Sequence, residues 1–264
     1  MVEGILIYKI PFKERDIIGK VLSRRGTLHT FYFYGGQGGG KNQKPNLLEL
    51  GRMIKVRPAE RKIKTDQEIR VASEWSILWE GRKIRENFLA FSLMSFMLEL
   101  MGKIAVPDDD DDVRSDFEGL FNVISNFLFF LDKALENNDF ELHQHLNLSL
   151  IKLIYHLGVV PELENCSHCE RELNTSERFI FEAHQGGFTC DHCLPQDFKL
   201  ALSDWERAKK VRFSFHDIAN LSYKDYRQVK FYEKEMSKDL LNYLFYHFQL
   251  QASNFRSISL LGIF

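Results

Sequence analysis

The sequence predicts an α+β, multidomain chain: a small strand-built barrel at the N-terminus, then an α-helical domain with a four-cysteine module inserted in it. Three features point there. Short β-branched and aromatic runs crowd the first 80 residues, the apolar spacing turns helical after Gly81, and all four cysteines lie between Cys166 and Cys193. With 264 residues, 44% hydrophobic and 27% charged, the chain is long enough for one large domain or two to three small ones, and its composition excludes disorder and collagen-like repeats. The expected boundaries are 1–80 for the barrel and 81–264 for the helical domain, with the cysteine module at 161–197.

Five strands are read in the first part. Gly4 to Ile10 and Ile17 to Leu22 are apolar runs separated by Pro11 and charges, and Arg25-Gly26 supplies a turn before Leu28 to Tyr34. A glycine-rich loop, Gly35 to Gly40, precedes Leu47 to Val56 and Ile69 to Trp75. So many short strands in so few residues suit a five-stranded OB-fold barrel. In the run Phe31-Tyr32-Phe33-Tyr34, alternate members must fill the barrel, which leaves at most two facing a ligand.

From Gly81 onward Ile84, Phe88, Phe91, Ser95 and Leu98 follow helical spacing, with Leu89, Met94 and Met97 widening the apolar face into a mostly buried helix. The Asp108 to Asp112 run reads as a solvated loop leading into a helix over Phe117 to Leu135. Phe140 to Leu157 repeats leucines at 142, 146, 150, 153 and 157 and stops at Gly158 with Pro161 beyond. After the cysteines, Ser203 to Val211 opens with a capping-like Ser203-Asp204, and Tyr232 to Leu250 carries Met236, Leu240, Tyr243, Leu244 and Phe248 on one side. The most apolar stretch, Phe88 to Met101, is too short to cross a bilayer, and the first residues lack the shape of a secretory signal, so the chain is expected inside the cell.

Cys166-Ser-His-Cys169 and Cys190-Asp-His-Cys193 are two C-x2-C pairs separated by 20 residues. Each pair is a knuckle that aims two thiolates at one point, and two knuckles complete a tetrahedron. A hairpin of Arg178 to Ala183 with Gly187 to Thr189 would bring them together. One structural zinc per chain is expected, held by Cys166, Cys169, Cys190 and Cys193, with no coordination position left for water. An iron–sulfur cluster and redox-active cysteines are the alternatives, though redox activity needs only one C-x2-C. His168 and His192 are read as turn residues.

Nothing points to catalysis. Gly35 to Asn42 approaches the phosphate loop G-x-x-x-x-G-K-[ST], but Asn42 replaces the hydroxyl and Pro45 discourages the helix that should follow. No G-x-S-x-G, H-E-x-x-H or G-x-G-x-x-G occurs, and the nine histidines are scattered. The charge is informative. The net of −2 averages a head, Met1 to Glu80, with 15 Lys+Arg against 9 Asp+Glu, and a remainder with 20 against 28. Lys20, Arg24, Arg25, Lys41, Lys44, Arg52, Lys55 and Arg57 are the candidate nucleic-acid contacts, with Arg61, Lys62 and Lys64 nearby.

The order of parts resembles the RecO family of bacterial DNA repair and recombination mediators. Gly4-Ile5-Leu6-Ile7 with Arg15-Asp16, Gly26 and Pro45-Asn46-Leu47-Leu48-Glu49-Leu50 carry the likeness in the head. Leu157-Gly158-Val159-Val160-Pro161 leading into the first knuckle, and Gly186-Gly187-Phe188 before the second, carry it in the zinc-bearing part. Where the family usually has a basic K-G-x-R-like segment after the third strand, this chain has Tyr34-Gly35-Gly36-Gln37, with lysines displaced to 41 and 44. The resemblance implies a non-enzymatic function in the bacterial cytoplasm, at the nucleoid. It would bind single- and double-stranded DNA, anneal complementary strands, and partner RecR to load RecA onto DNA coated by single-stranded DNA-binding protein. It also implies that the helical body docks the acidic, Phe-ending tail of the coating protein, for which Arg82, Lys83, Arg85 and Lys103 are candidates. A zinc-ribbon adaptor that joins proteins without touching nucleic acid is the competing reading.

Overall fold

Five strands, β1 (Val2–Phe12), β2 (Asp16–Ser23), β3 (Leu28–Phe33), β4 (Met53–Ile63) and β5 (Ile69–Trp79), close into a barrel in the order β1-β2-β3-β5-β4. The computed structural model describes residues 1–37, 48–63, 69–108, 118–173, 178–195, 197–198, 201–228 and 233–264. Within them the chain forms two compact units, Met1–Phe140 and Glu141–Phe264. The barrel is OB-fold-like, with β3 and β5 paired in parallel and every other neighbour antiparallel. The barrel strands end at Trp79, and the first compact unit continues through three helices to Phe140.

Alternation builds the barrel core. Leu6, Ile17, Val21, Phe31 and Phe33 point inward and meet Ile54, Val56 and Ala72. The expected fourth strand over Leu47 to Val56 is corrected: pairing starts at Met53. Gly51, at φ +78°, turns the chain just before it, and Leu48 serves as a fully buried plug instead of a strand residue. Gly4 has a separate steric role, since a Cβ there would lie 2.2 Å from the Leu22 carbonyl oxygen.

The single helix expected from Gly81 is two: α1 (Arg82–Glu86) and α2 (Phe88–Ile104). Asn87 is extended, and its side chain accepts from the Ala90 N–H at 3.0 Å, capping α2 and breaking the run. Phe88, Leu89 and Phe91, expected on the buried face, are exposed, whereas Ala90, Leu93, Phe96, Leu100 and Met101 are buried. In α3 (Glu118–Glu136), the buried Asp132 accepts the Lys83 and Ile84 N–H groups at 2.8 and 3.2 Å, and so caps the short α1. Burial pushes the Asp132 carboxyl up, against the pull of those two N–H groups.

In the second unit, α4 (Leu142–His156) packs against α5 (Leu202–Ala219) and α6 (Lys234–His247). Gly158, at φ +70°, ends the α4 segment where the sequence places the stop. For α5 the capping-like start is corrected: Ala201 is the N-cap, with no side-chain bond, and the helix runs on to Ala219. Between α4 and α5 lies a small sheet, β6 (Glu162–Cys166), β7 (Phe179–Glu182) and β8 (Gly187–Cys190), in the order β6-β8-β7. Among the described residues no helix is long and apolar enough to cross a membrane.

Gly4→Ala should destabilise the chain by about 1–3 kcal/mol, because backbone rather than a movable side chain opposes the new methyl. Gly102→Ala, in α2, meets only Ile7 Cδ1 at 3.6 Å and is expected to be neutral or stabilising. Urea unfolding midpoints of the two variants check the contrast.

Candidate metal centre and nucleic-acid face

The antiparallel β7–β8 hairpin turns through His184 to Gly186, with Gly186 at φ +75°, and brings the two knuckles together as the sequence predicts. β6 adds a parallel strand on the other side of β8, a pairing the sequence does not signal. The first knuckle closes with the Glu170 N–H donating to the Cys166 carbonyl at 3.0 Å, and the second is one 3-10 turn over Asp191–Cys193.

The four thiol sulfurs lie within 4.8 Å of one another, and Cys169 Sγ is 3.7 Å from Cys190 Sγ. Tetrahedral zinc–sulfur bonds of about 2.3 Å set sulfur–sulfur edges of roughly 3.8 Å, so the cluster has the size of a metal tetrahedron. Cys166 and Cys190 are buried and Cys169 is exposed. His168 and His192 are not members of this group.

Electrostatics favour a cation at this point. Burial pushes the Cys166 thiol up, but the backbone N–H groups of Cys190, Cys169 and His168 outweigh it and bring it down to about 6. Cys193 moves the other way, up to about 12, through hydrogen bonding with Cys169 and then burial. Burial also raises Cys190. The bare cluster thus yields one thiolate readily and resists the next, and a dication is the partner that would let all four ionise.

Arg212 of α5 holds the module to the helices. Its side chain is buried, donates to the Leu163 carbonyl, to the Leu173 carbonyl at 2.8 Å and to Glu164 Oε2 at 3.1 Å, and lies over the Phe179 ring at 5.6 Å. One guanidinium therefore ties together both flanks of the first knuckle. From α6, the Tyr243 hydroxyl donates to the Val159 carbonyl at 2.9 Å.

The barrel of the first unit carries a different kind of surface. A register shift between Leu6 and Tyr8 divides the outside of β1. Before it Ile5 and Ile7 are buried, whereas beyond it Tyr8, Ile10 and Phe12 are 47%, 38% and 39% exposed. Across the sheet Tyr8 pairs with Lys20 and Lys20 with Thr30, while Ile10 pairs with Ile18 and Ile18 with Tyr32. Tyr34, 57% exposed, extends the row and meets Tyr32 edge-on at 4.5 Å. Lys20 lies 6.0 Å over the Tyr8 ring and Lys13 5.6 Å over the Phe12 ring. Asp16 anchors one end: it accepts from the Tyr32 hydroxyl and, at 2.8 Å, from the Gly35 N–H. These bonds hold its carboxyl below the usual range, and the Tyr32 hydroxyl is pushed up to about 12, chiefly by the same contact.

Of the four aromatic residues at 31–34, Phe31 and Phe33 fill the core and Tyr34 faces out. Tyr8, Ile10, Lys13 and Phe12 are not among the residues that the sequence singles out. Their alternation with Lys9 and Pro11 was the available signal, and the register shift obscured it. The basic candidates are spread over several places. Lys20 belongs to the aromatic face, and Arg24 and Lys55 meet on Glu3 at 3.0 and 3.1 Å. Arg52 pairs with Glu80 and Arg57 with Glu74. Lys41 and Lys44 lie outside the described residues, as do Lys64 and the side chains of Arg61 and Lys62. Among the helical candidates Arg82 pairs with Glu80, Lys83 with Glu86 and Arg85 with Glu49, and Lys103 sits in the last turn of α2.

A family profile described as "Recombination protein O C terminal" matches residues 85–212. The chain is 26% identical over 165 residues to a protein named DNA repair protein RecO from Bacillus pumilus (strain SAFR-032), a stretch covering 62% of this chain and 58% of that protein. It is 23% identical over 117 residues to one of the same name from Syntrophus aciditrophicus (strain SB), covering 44% of this chain and 41% of that one. The similarity thus spans less than two thirds of either relative.

Removing the Arg212 guanidinium leaves two carbonyls and a carboxylate without their donor. Arg212→Met should cost about 3 kcal/mol, read as a lower urea midpoint. A loss under about 1 kcal/mol would mean that those acceptors find other partners.

Proposed function

Because the chain belongs to the RecO family, we propose that it is a DNA repair protein whose barrel binds single-stranded DNA on the outer face of β1, β2 and β3. What supports this reading most directly is the row of exposed Tyr8, Ile10, Phe12 and Tyr34 with Lys20 and Lys13 beside two of the rings. Base stacking on aromatic side chains tolerates any sequence, and adjacent ammonium groups meet the phosphates. Cations close to two strands lower their mutual repulsion, so annealing of complementary strands follows from the same face. With a RecR-like partner the chain helps load RecA onto strands coated by single-stranded DNA-binding protein, and its helices are the place for that protein's acidic tail; the family resemblance supports both roles.

The four thiols are read as a structural zinc centre with one ion per chain. Cys166, Cys169, Cys190 and Cys193 would hold it and leave no ligand position for chemistry. The ion would neutralise the thiolates and fix the two knuckles, and Arg212 would relay that rigidity to α5.

Two measurements test these statements. Fluorescence anisotropy with a labelled oligothymidylate should show Tyr8→Ala and Tyr34→Ala each weakening binding by about 1–3 kcal/mol, with Lys20→Glu adding to the loss. Full affinity in all three variants would move DNA off this face. Metal analysis of freshly purified chain should return one zinc, whose removal by chelator melts the module; iron, or no metal, refutes the centre. Annealing is expected to proceed without ATP or magnesium.

A further inference from the structure

We propose that the mouth of the barrel is a phosphate site that takes the phosphorylated end of a DNA strand. The proposal rests on the DNA-binding reading and adds a preference that the aromatic face alone would not produce. The mouth is a cleft of about 420 Å³ lined by Ser23, Arg24, Arg25, His29, Arg70 and Asp108, among others. That volume falls in the range of roughly 300–1,000 Å³ usual for small-molecule sites, enough for a terminal nucleotide and not a long stretch of strand.

The cleft has a built floor. Ser23 Oγ lies 3.0 Å from Thr27 Oγ1, and Thr27 donates to Asp108 Oδ1 at 3.1 Å. Arg70 donates to Asp108 Oδ2 at 2.9 Å, and His29 Nδ1 lies 3.1 Å from that same oxygen. Asp108 is itself zipped onto β3, its N–H donating to the Leu28 carbonyl at 3.0 Å. Below, the His29 ring stacks on the fully buried Phe31 at 6.1 Å, so the cleft ends inside the barrel.

The rim holds the surplus of positive charge. Arg24 is fixed by its Nε–Glu3 bond at 3.0 Å and by the Phe121 ring 5.6 Å away, and its two terminal nitrogens have no further partner among the described residues. Arg25 makes no ion pair or hydrogen bond among them. Among the described residues three guanidinium groups, Arg24, Arg25 and Arg70, line the cleft against two carboxylates, Glu3 and Asp108, and Glu3 is further shared with Lys55. Guanidinium groups with free forks suit an anion with several oxygens in one small volume. A terminal phosphate monoester carries about −1.5 to −2 charges and three free oxygens, whereas an internal phosphodiester carries one charge and needs an exit on both sides. A cleft closed at its base fits the former.

The test uses the full chain and a twelve-nucleotide oligothymidylate ending in a 5′-phosphate, a 3′-phosphate or hydroxyls only. One phosphorylated form should bind roughly tenfold tighter than the hydroxyl form, the worth of a charge-assisted hydrogen bond. In Arg25→Ala, whose thermal unfolding should be unchanged, and in Arg24→Ala/Arg25→Ala that ratio should fall to about one. If the hydroxyl form binds and neither phosphate improves it, the inference fails and the DNA-binding reading stands. If no oligonucleotide binds, that reading fails, and thymidine 5′-monophosphate against thymidine decides the cleft: equal binding overturns it. Inorganic phosphate that matches the mononucleotide in affinity would mark a free-anion site and overturn the assignment to a strand end.

Discussion

The register shift between Leu6 and Tyr8 sets what the barrel can do. A strand has two faces, and in a closed barrel one of them is committed to the core. The other is free to vary, and in β1 it changes character within three residues. Ile5 and Ile7 are buried on the outside, with Ile7 reaching Gly102 of α2, while Tyr8 and Phe12 are left in water. One strand thus serves as a packing surface for helices and, on the proposed reading, as a ligand surface. Gly4 completes the device, because the close approach of β2 at Leu22 leaves no room for a side chain. Without the shift Tyr8, Ile10 and Phe12 would follow Leu6 toward the barrel interior, and the exposed row would not form.

The second unit meets a comparable constraint by different means. Its sheet has three short strands, two of them of four residues, too little to bury a core of its own. Four converging thiols replace the missing apolar area, and Arg212 replaces the missing inter-element packing by bonding two carbonyls and a carboxylate at once. A buried guanidinium is costly to desolvate and is stable only when its donors are met, as they are here.

The sequence made the local parts readable. Two C-x2-C pairs and a glycine turn specify a cluster almost independently of the remaining chain, and the leucine period of α4 survives in the structure through Leu146, Leu150 and Leu153. What it hid was decided by geometry between distant residues. The parallel β6–β8 pairing joins strands far apart in sequence, and the Asp132 cap of α1 comes from another helix. The exposed Phe88, Leu89 and Phe91 looked like core because an apolar period runs unbroken across Asn87, although that asparagine's own capping chemistry ends one helix and starts the next. Tyr8, Ile10 and Phe12 do not stand out in the sequence for a related reason: a bulge breaks the alternation by which a strand's faces are told apart.

Charge shows most clearly how structure revises a composition argument. The head carries 15 Lys+Arg against 9 Asp+Glu, which suggests broad electrostatic attraction to DNA. Among the described residues part of that charge is spent internally, since Glu80 holds Arg52, Glu74 holds Arg57, and Glu3 holds both Arg24 and Lys55. Salt dependence follows the number of phosphates neutralised and not the count of lysines and arginines. On the proposed reading, Lys13 and Lys20 at the aromatic face and Arg24 and Arg25 at the mouth are the cations best placed for phosphate among the described residues. Stacking on Tyr8, Phe12 and Tyr34 would add affinity that salt does not screen, so the proposed binding should persist in part at salt concentrations that dissociate a purely electrostatic contact of the same net charge.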